Sequence, residues 1–84
     1  MKTIDPKELR QHFSALAHAQ ARWEANPDTG TGTFRAVLSA TKQQLAAWAD
    51  EGIYPSNDLQ RLRSEVAARE AMITLASQKQ TRGY

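Results

Sequence analysis

The stretch from Thr33 to Gly52 constrains the fold of this chain more than any other. Four bulky apolar residues and one threonine recur there at intervals of four, three, four and three: Phe34, Leu38, Thr41, Leu45 and Trp48. This spacing is the stripe of an amphipathic helix that buries one face. Gly52 follows as a left-handed stop, and Ile53 lies where the apolar partner of a Schellman cap would contact Trp48. The sequence therefore predicts a helix over residues 33–51 that ends in a glycine cap.

A helix is also predicted before this stretch, over residues 5–25. Asp5 can cap it, Pro6 suits its first position, and Glu8 completes a capping-box pattern. The same four-three spacing follows in Leu9, Phe13, Leu16, Gln20 and Trp23. Pro27 disfavours helical geometry at Asn26, so this helix is expected to stop near residue 25.

Two connections and a third helix complete the prediction. Residues 26–33 contain proline, glycine and threonine in the proportions of a loop. After the turn at residues 53–56, Ser56 or Asn57 can cap a helix over residues 57–78. Its inward stripe consists of Leu59, Leu62, Val66, Ile73 and Ala76. Residues 79–84 are predicted to be a tail.

These elements predict one small all-α domain over residues 1–84, an antiparallel three-helix bundle. A chain of 84 residues has room for one modest core. Trp23 and Trp48 lie on the apolar stripes of their helices, and we expect both to fill that core rather than to serve as ligand platforms.

A second arrangement of the middle segment is also compatible with the sequence. Thr41 and Gln44 make another capping-box pattern, so the helix could begin at Thr41 and leave residues 33–39 as a short strand. A lone strand would have to pair across a dimer. The order strand, helix, glycine turn, helix resembles the ribbon–helix–helix repressors in its spacing, on the residues Leu45, Ala49, Gly52, Ser56 and Leu59. That resemblance implies a dimeric DNA-binding regulator as the alternative function.

Composition and motifs give catalysis little support. His12 and His18 lie six residues apart and point to different faces of a helix, and the chain has no cysteine, so neither a metal nor a cofactor site is predicted. No pair of carboxylates lies in an apolar setting that would raise a pKa for acid–base chemistry. The chain is expected not to be an enzyme, and no catalytic residue is predicted.

The net charge, the apolar runs and the cysteine content indicate where the protein acts and what it binds. The net charge is only +2, which gives weak support for nucleic acid as a partner. No apolar run approaches the ~18 residues of a membrane span, and the N-terminus lacks the apolar region of a cleaved signal. The absence of cysteine is compatible with the reducing cytoplasm, where we expect the protein to act.

Two surfaces are candidates for binding a partner. Met72 and Leu75 lie off the inward stripe of the third helix, and an exposed apolar edge there would favour a homodimer or a docked partner. Antiparallel packing would gather four cations at one pole, around the predicted loop: Arg22, Arg35, Lys79 and Arg82. The sequence therefore indicates a non-catalytic helical module that binds a macromolecule, and a protein is the expected partner. Inhibitors, adaptors and accessory regulators of the kind carried by mobile genetic elements have this size and composition.

Overall fold

A computed structural model describes residues 3–53 and 56–81 of the chain, with side chains described as far as Gln78. Three helices form a bundle: α1 (Pro6–Ala25), α2 (Pro27–Asp50) and α3 (Asn57–Thr81). The described residues contain no strand. The predicted three-helix architecture is confirmed. The alternative strand at residues 33–39 is wrong, because these residues lie inside α2 and place Phe34 and Leu38 in the core.

The start of α1 depends on its cap. The Asp5 carboxylate accepts a hydrogen bond from the backbone N–H of Lys7 at 2.9 Å, and Pro6 occupies the first helical position. This bond satisfies one of the N–H groups that a helix start leaves without a partner. Ile4 before the cap and Leu9 after it both pack into the core, as a hydrophobic staple requires.

The end of α2 has the hydrogen bonds of a Schellman motif. The N–H of Gly52 donates to the carbonyl of Ala49 at 3.1 Å, and the N–H of Ile53 donates to the carbonyl of Trp48 at 3.0 Å. Gly52 has φ +75°, a conformation that a side chain disfavours. The glycine stop that the sequence predicted is confirmed.

The predicted loop at residues 26–33 is wrong, because α2 begins at Pro27. Asn26 alone separates α1 from α2, with φ −150° and ψ 81°, which lie outside the helical region. Proline at the first position is compatible with a helix, and the Trp23 indole donates to the Thr31 hydroxyl at 3.1 Å across the hairpin. That hydroxyl donates in turn to the Pro27 carbonyl at 2.6 Å. These contacts with α1 outweigh the low helix propensity of glycine and threonine.

Gly30 explains why the hairpin is so tight. A Cβ atom at this position would lie 2.8 Å from the Cα of Trp23 and 3.2 Å from the carbonyl oxygen of Arg22. The first turn of α2 therefore packs directly on the backbone of the last turn of α1, and only glycine leaves room for it.

Contacts along the helices fix their directions. The His12 ring meets Trp48 edge-on at 5.4 Å, near one end of the bundle, and Trp23 packs on Phe34 at 5.3 Å near the other. Between α2 and α3, Lys42 binds Glu70. Consecutive helices are thus antiparallel, whereas α1 and α3 are in contact and run parallel, with Arg61 of α3 over Phe13 of α1. The structure measures 53 Å along its longest axis. Its core consists of Leu9, Leu16, Ala19, Phe34, Leu38, Leu45, Trp48, Leu59, Leu62, Val66 and Ile73.

The helix α3 is longer than the sequence predicted. It continues to Thr81, so the predicted tail at residues 79–84 begins too early. Trp48 is a core residue, as predicted, with 5% of its surface exposed. Trp23 is half-buried and packs against the core from its edge.

Candidate functional site

An open groove lies between α2 and α3. It has a volume of about 530 Å³ and takes no lining residue from α1. Its floor is apolar, because the buried Leu38 and Ile73 meet there with 2% and 5% of their surfaces exposed. Small and polar side chains complete the walls, namely Ser39, Gln43, Ala46 and Thr74.

The charged residues of the groove lie along its edges. Lys42 Nζ binds Glu70 Oε2 at 3.0 Å across the groove, and both side chains stay about half exposed. Arg35, two turns earlier on α2, donates from Nη2 to the Ser77 hydroxyl at 3.4 Å. This is a long hydrogen bond, and Arg35 is exposed. The lining residues thus contain two cations and one carboxylate, and the carboxylate already has a cationic partner.

The exposed side chains of α2 beside the groove are mostly small, and few of them are charged. From residue 29 to residue 49 the sequence contains no acid, and its only cations are Arg35 and Lys42. Five exposed small residues lie on the side of α2 opposite its core stripe: Gly32, Ala36, Ser39, Ala40 and Ala47. Side chains of this size let another backbone approach closely.

The predicted apolar edge on α3 is narrower than the sequence suggested. Leu75 is 57% exposed, and no other large apolar side chain among the described residues is exposed. Met72 is half-buried. Neither residue lines the groove. Leu75 is the one exposed residue of the predicted apolar edge.

The four predicted basic residues are only partly brought together. Arg35 reaches the last turns of α3, whereas Arg22 is exposed at the end of α1. No described contact joins these two guanidinium groups. Lys79 lies in α3 with its side chain outside the described part of the structure, and Arg82 lies outside the described residues altogether.

A second groove, of about 480 Å³, lies between the start of α1 and the start of α3. Its two cations are Arg10 and Arg61. The Arg61 guanidinium stacks over the Phe13 ring at 5.1 Å, and its Nε lies 3.3 Å from Glu65 Oε2. Asp58 lines the same groove, so the site offers no excess of free cations to an anion.

Arg61 begins a line of charges along α3. Glu65 stands between Arg61 and Arg69, with a shortest distance of 3.3 Å to each. Arg69 is the more buried cation, with 13% of its side chain exposed, and it also donates to the Glu65 carbonyl. These residues are spaced four apart on one helix and stabilise it locally. They interrupt the apolar stripe of α3 without forming a reactive centre.

The histidines and carboxylates form no metal centre among the described residues. His12 packs edge-on against Trp48, and His18 is exposed on α1. No group of three or more histidine, aspartate or glutamate side chains in the described ranges is placed to hold a metal ion. Over the same ranges, none of the helices has the length and apolar character that crossing a bilayer requires.

Sequence reasoning missed most of the groove. It singled out Arg35 as a binding residue but not Ser39, Lys42 or Glu70, because a groove depends on which helix lies beside which. One signal was present, namely the acid-free run of small residues on α2. Comparisons of the chain with protein-family models, with curated proteins and with solved structures found no match. A functional interpretation therefore depends on the geometry described above.

Proposed function

We propose that this chain is a non-catalytic helical module that binds a protein partner in the groove between α2 and α3. The observation that carries the proposal is the groove itself, with an apolar floor, small walls and charges confined to its edges. Protein interfaces share this pattern of an apolar centre and a polar rim. The partner would make the protein an inhibitor, adaptor or accessory regulator, acting in the cytoplasm.

Catalysis and nucleic-acid binding have less support. No described hydrogen bond in the groove joins a hydroxyl to a side-chain base, since the Thr74 hydroxyl donates to the Glu70 backbone carbonyl and Lys42 is ion-paired with Glu70. Nucleic-acid binding depends on many cations that neutralise phosphates, and the groove is lined by only two, with the Glu70 carboxylate beside one of them. The ribbon that the alternative DNA-binding arrangement needs is replaced by α2.

Site-specific photo-crosslinking in the native host tests this proposal. A photoreactive amino acid at Ser39 lies in the groove, and the same amino acid at Ala40 is a matched control outside it. We expect an adduct from position 39 that protease destroys and nuclease leaves intact, and a much weaker one from position 40. Equal adducts at both positions, an adduct that nuclease destroys, or no adduct at either position would contradict the proposal.

A homodimer through α3 stays a second candidate, favoured by the exposure of Leu75. Single exposed leucines are common on monomers, so this surface has the weaker support. Sedimentation of the wild type and of Leu75→Glu measures their oligomeric states and so distinguishes a dimer through α3 from a monomer. A wild-type dimer that Leu75→Glu converts to a monomer would establish this interface, and a wild-type monomer would remove it.

A further inference from the structure

The shape of the groove indicates what kind of protein segment it accepts. It runs lengthwise between two antiparallel helices, on the side of α2 that α1 does not cover. Helices pack at distances of about 8–10 Å, and the shortest distances require small side chains at the contact. Ser39, Ala46 and Thr74 provide such side chains on both walls. A third helix already packs in this way on the other side, so a helix placed in the groove would complete a four-helix bundle.

The charges of the groove indicate which helix would bind. Arg35 and Lys42 are seven residues apart on α2, which places them about 10.5 Å apart on one side of the helix. Within the described residues, Arg35 makes one hydrogen bond, a long one to a hydroxyl, and its side chain is exposed. A partner helix with two carboxylates seven residues apart would present them at the same interval. Because Leu38 and Ile73 are almost fully buried beneath the groove, the inner face of a bound helix would pack mainly on Ser39, Ala46 and Thr74, and small apolar side chains suit that contact.

From these observations we propose that the groove binds an amphipathic helix of the partner protein, with an apolar inner face and two carboxylates spaced seven residues apart on one flank. The inference rests on the proposed function and adds the conformation and charge of the bound segment. Arg35 and Lys42 act as the two cationic contacts, and Lys42 exchanges or shares its bond with Glu70 when the helix binds.

A second copy of this chain fits the groove less well. On its helices, Asp58 and Glu65 are the acids with the required spacing, both on α3. Glu65 is held between Arg61 and Arg69, with a shortest distance of 3.3 Å to each. Using that carboxylate in an interface would break two ion pairs to make one. The occupant is therefore assigned to a different protein.

The test uses two designed peptides and the full chain. Each peptide has about 18 residues, enough to cover the groove, and a covalent staple keeps it helical. Both have alanine and leucine on the inner face, and they differ only at two flank positions seven residues apart, which hold glutamate in one peptide and lysine in the other. Amide chemical shifts of the isotope-labelled protein report the site and the affinity.

We expect the glutamate peptide to cause saturable shifts at Ser39, Gln43 and Thr74, and the lysine peptide to bind at least about fivefold more weakly. Arg35→Glu should lower the affinity for the glutamate peptide by about fivefold and raise the affinity for the lysine peptide. A merely structural role of Arg35 would not produce these opposite changes. Arg22→Glu is the matched control on α1 and should leave both affinities within about twofold.

Several results would overturn this inference. They are the absence of saturable shifts with either peptide, equal affinity of the two peptides, shifts confined to the opposite end of the bundle, or self-association that places a second copy in the groove. The proposed function is judged separately by the adduct at Ser39. If that adduct forms while the glutamate peptide fails to bind, the groove binds a protein but not an acidic helix.

Discussion

Two glycines near the start of α2 have opposite roles at the scale of single residues. Gly30 packs on the α1 backbone, so a Cβ atom there would lie 2.8 Å from the Trp23 Cα, and Gly32 has nothing within 4 Å of the same position. Backbone atoms cannot move aside as a flexible side chain can. The first glycine is therefore required by packing, and the second only lowers helix propensity.

Alanine at these two positions should change stability in opposite directions. Gly30→Ala is expected to destabilise the protein by about 1–2 kcal/mol, because overpacking outweighs the gain in propensity. Gly32→Ala should stabilise it by about 0.5–1 kcal/mol. Melting temperatures of the two variants provide the check. A Gly30→Ala variant as stable as Gly32→Ala would mean that α2 does not start against α1 in this way.

Trp48 is the largest side chain in the core. It is 5% exposed and meets the His12 ring edge-on, so Trp48→Ala removes packing that nothing can replace. The expected loss is about 3–5 kcal/mol, enough to unfold a domain of this size. Chemical denaturation measures it, with the exposed His18→Ala as a control that should change stability by less than about 0.5 kcal/mol. A Trp48→Ala variant that unfolds like the parent would show that this ring is not in the core.

At the scale of helices, the sequence correctly predicted those helix ends that are set by local side chains. Asp5 with Pro6 marked the start of α1, and Gly52 marked the end of α2. The start of α2 did not follow, because proline, glycine and threonine were interpreted by their propensities alone. What makes residues 27–33 helical is contact with α1, through Gly30 and through the bond between Trp23 and Thr31. Such contacts exist only once the helices pack together.

The cap of α1 gives a prediction at this scale. Asp5→Ala removes the acceptor for the Lys7 N–H and should lower stability by about 0.5–2 kcal/mol. Asp5→Asn keeps an acceptor and should retain most of that stability. Thermal unfolding of both variants measures the difference. Equal melting temperatures for Asp5→Ala and the parent would show that the Asp5 side chain does not stabilise the start of α1.

The whole molecule shows why the candidate site was harder to predict than the fold. Helical periodicity revealed three apolar stripes, and three stripes of this length pack as a bundle. The groove is formed by the outer flanks of α2 and α3, where residues such as Ser39 and Ala46 have no periodic apolar signal. Lys42 and Glu70 are 28 positions apart in the sequence, and only the antiparallel packing of the two helices makes them neighbours.

The central claim is that the partner binds in the groove, and a pair of tryptophan variants tests it most directly. Ala46 lines the groove, and Ala47 is the next residue, exposed and outside it. Both substitutions are at exposed positions and should change stability by less than about 0.5 kcal/mol, which melting temperatures verify. The measurement is the affinity of each variant for the protein that crosslinks at Ser39. We predict that Ala46→Trp, which fills the groove, weakens binding by at least about tenfold, and that Ala47→Trp leaves it within about twofold. Equal affinities of the two folded variants would contradict the account.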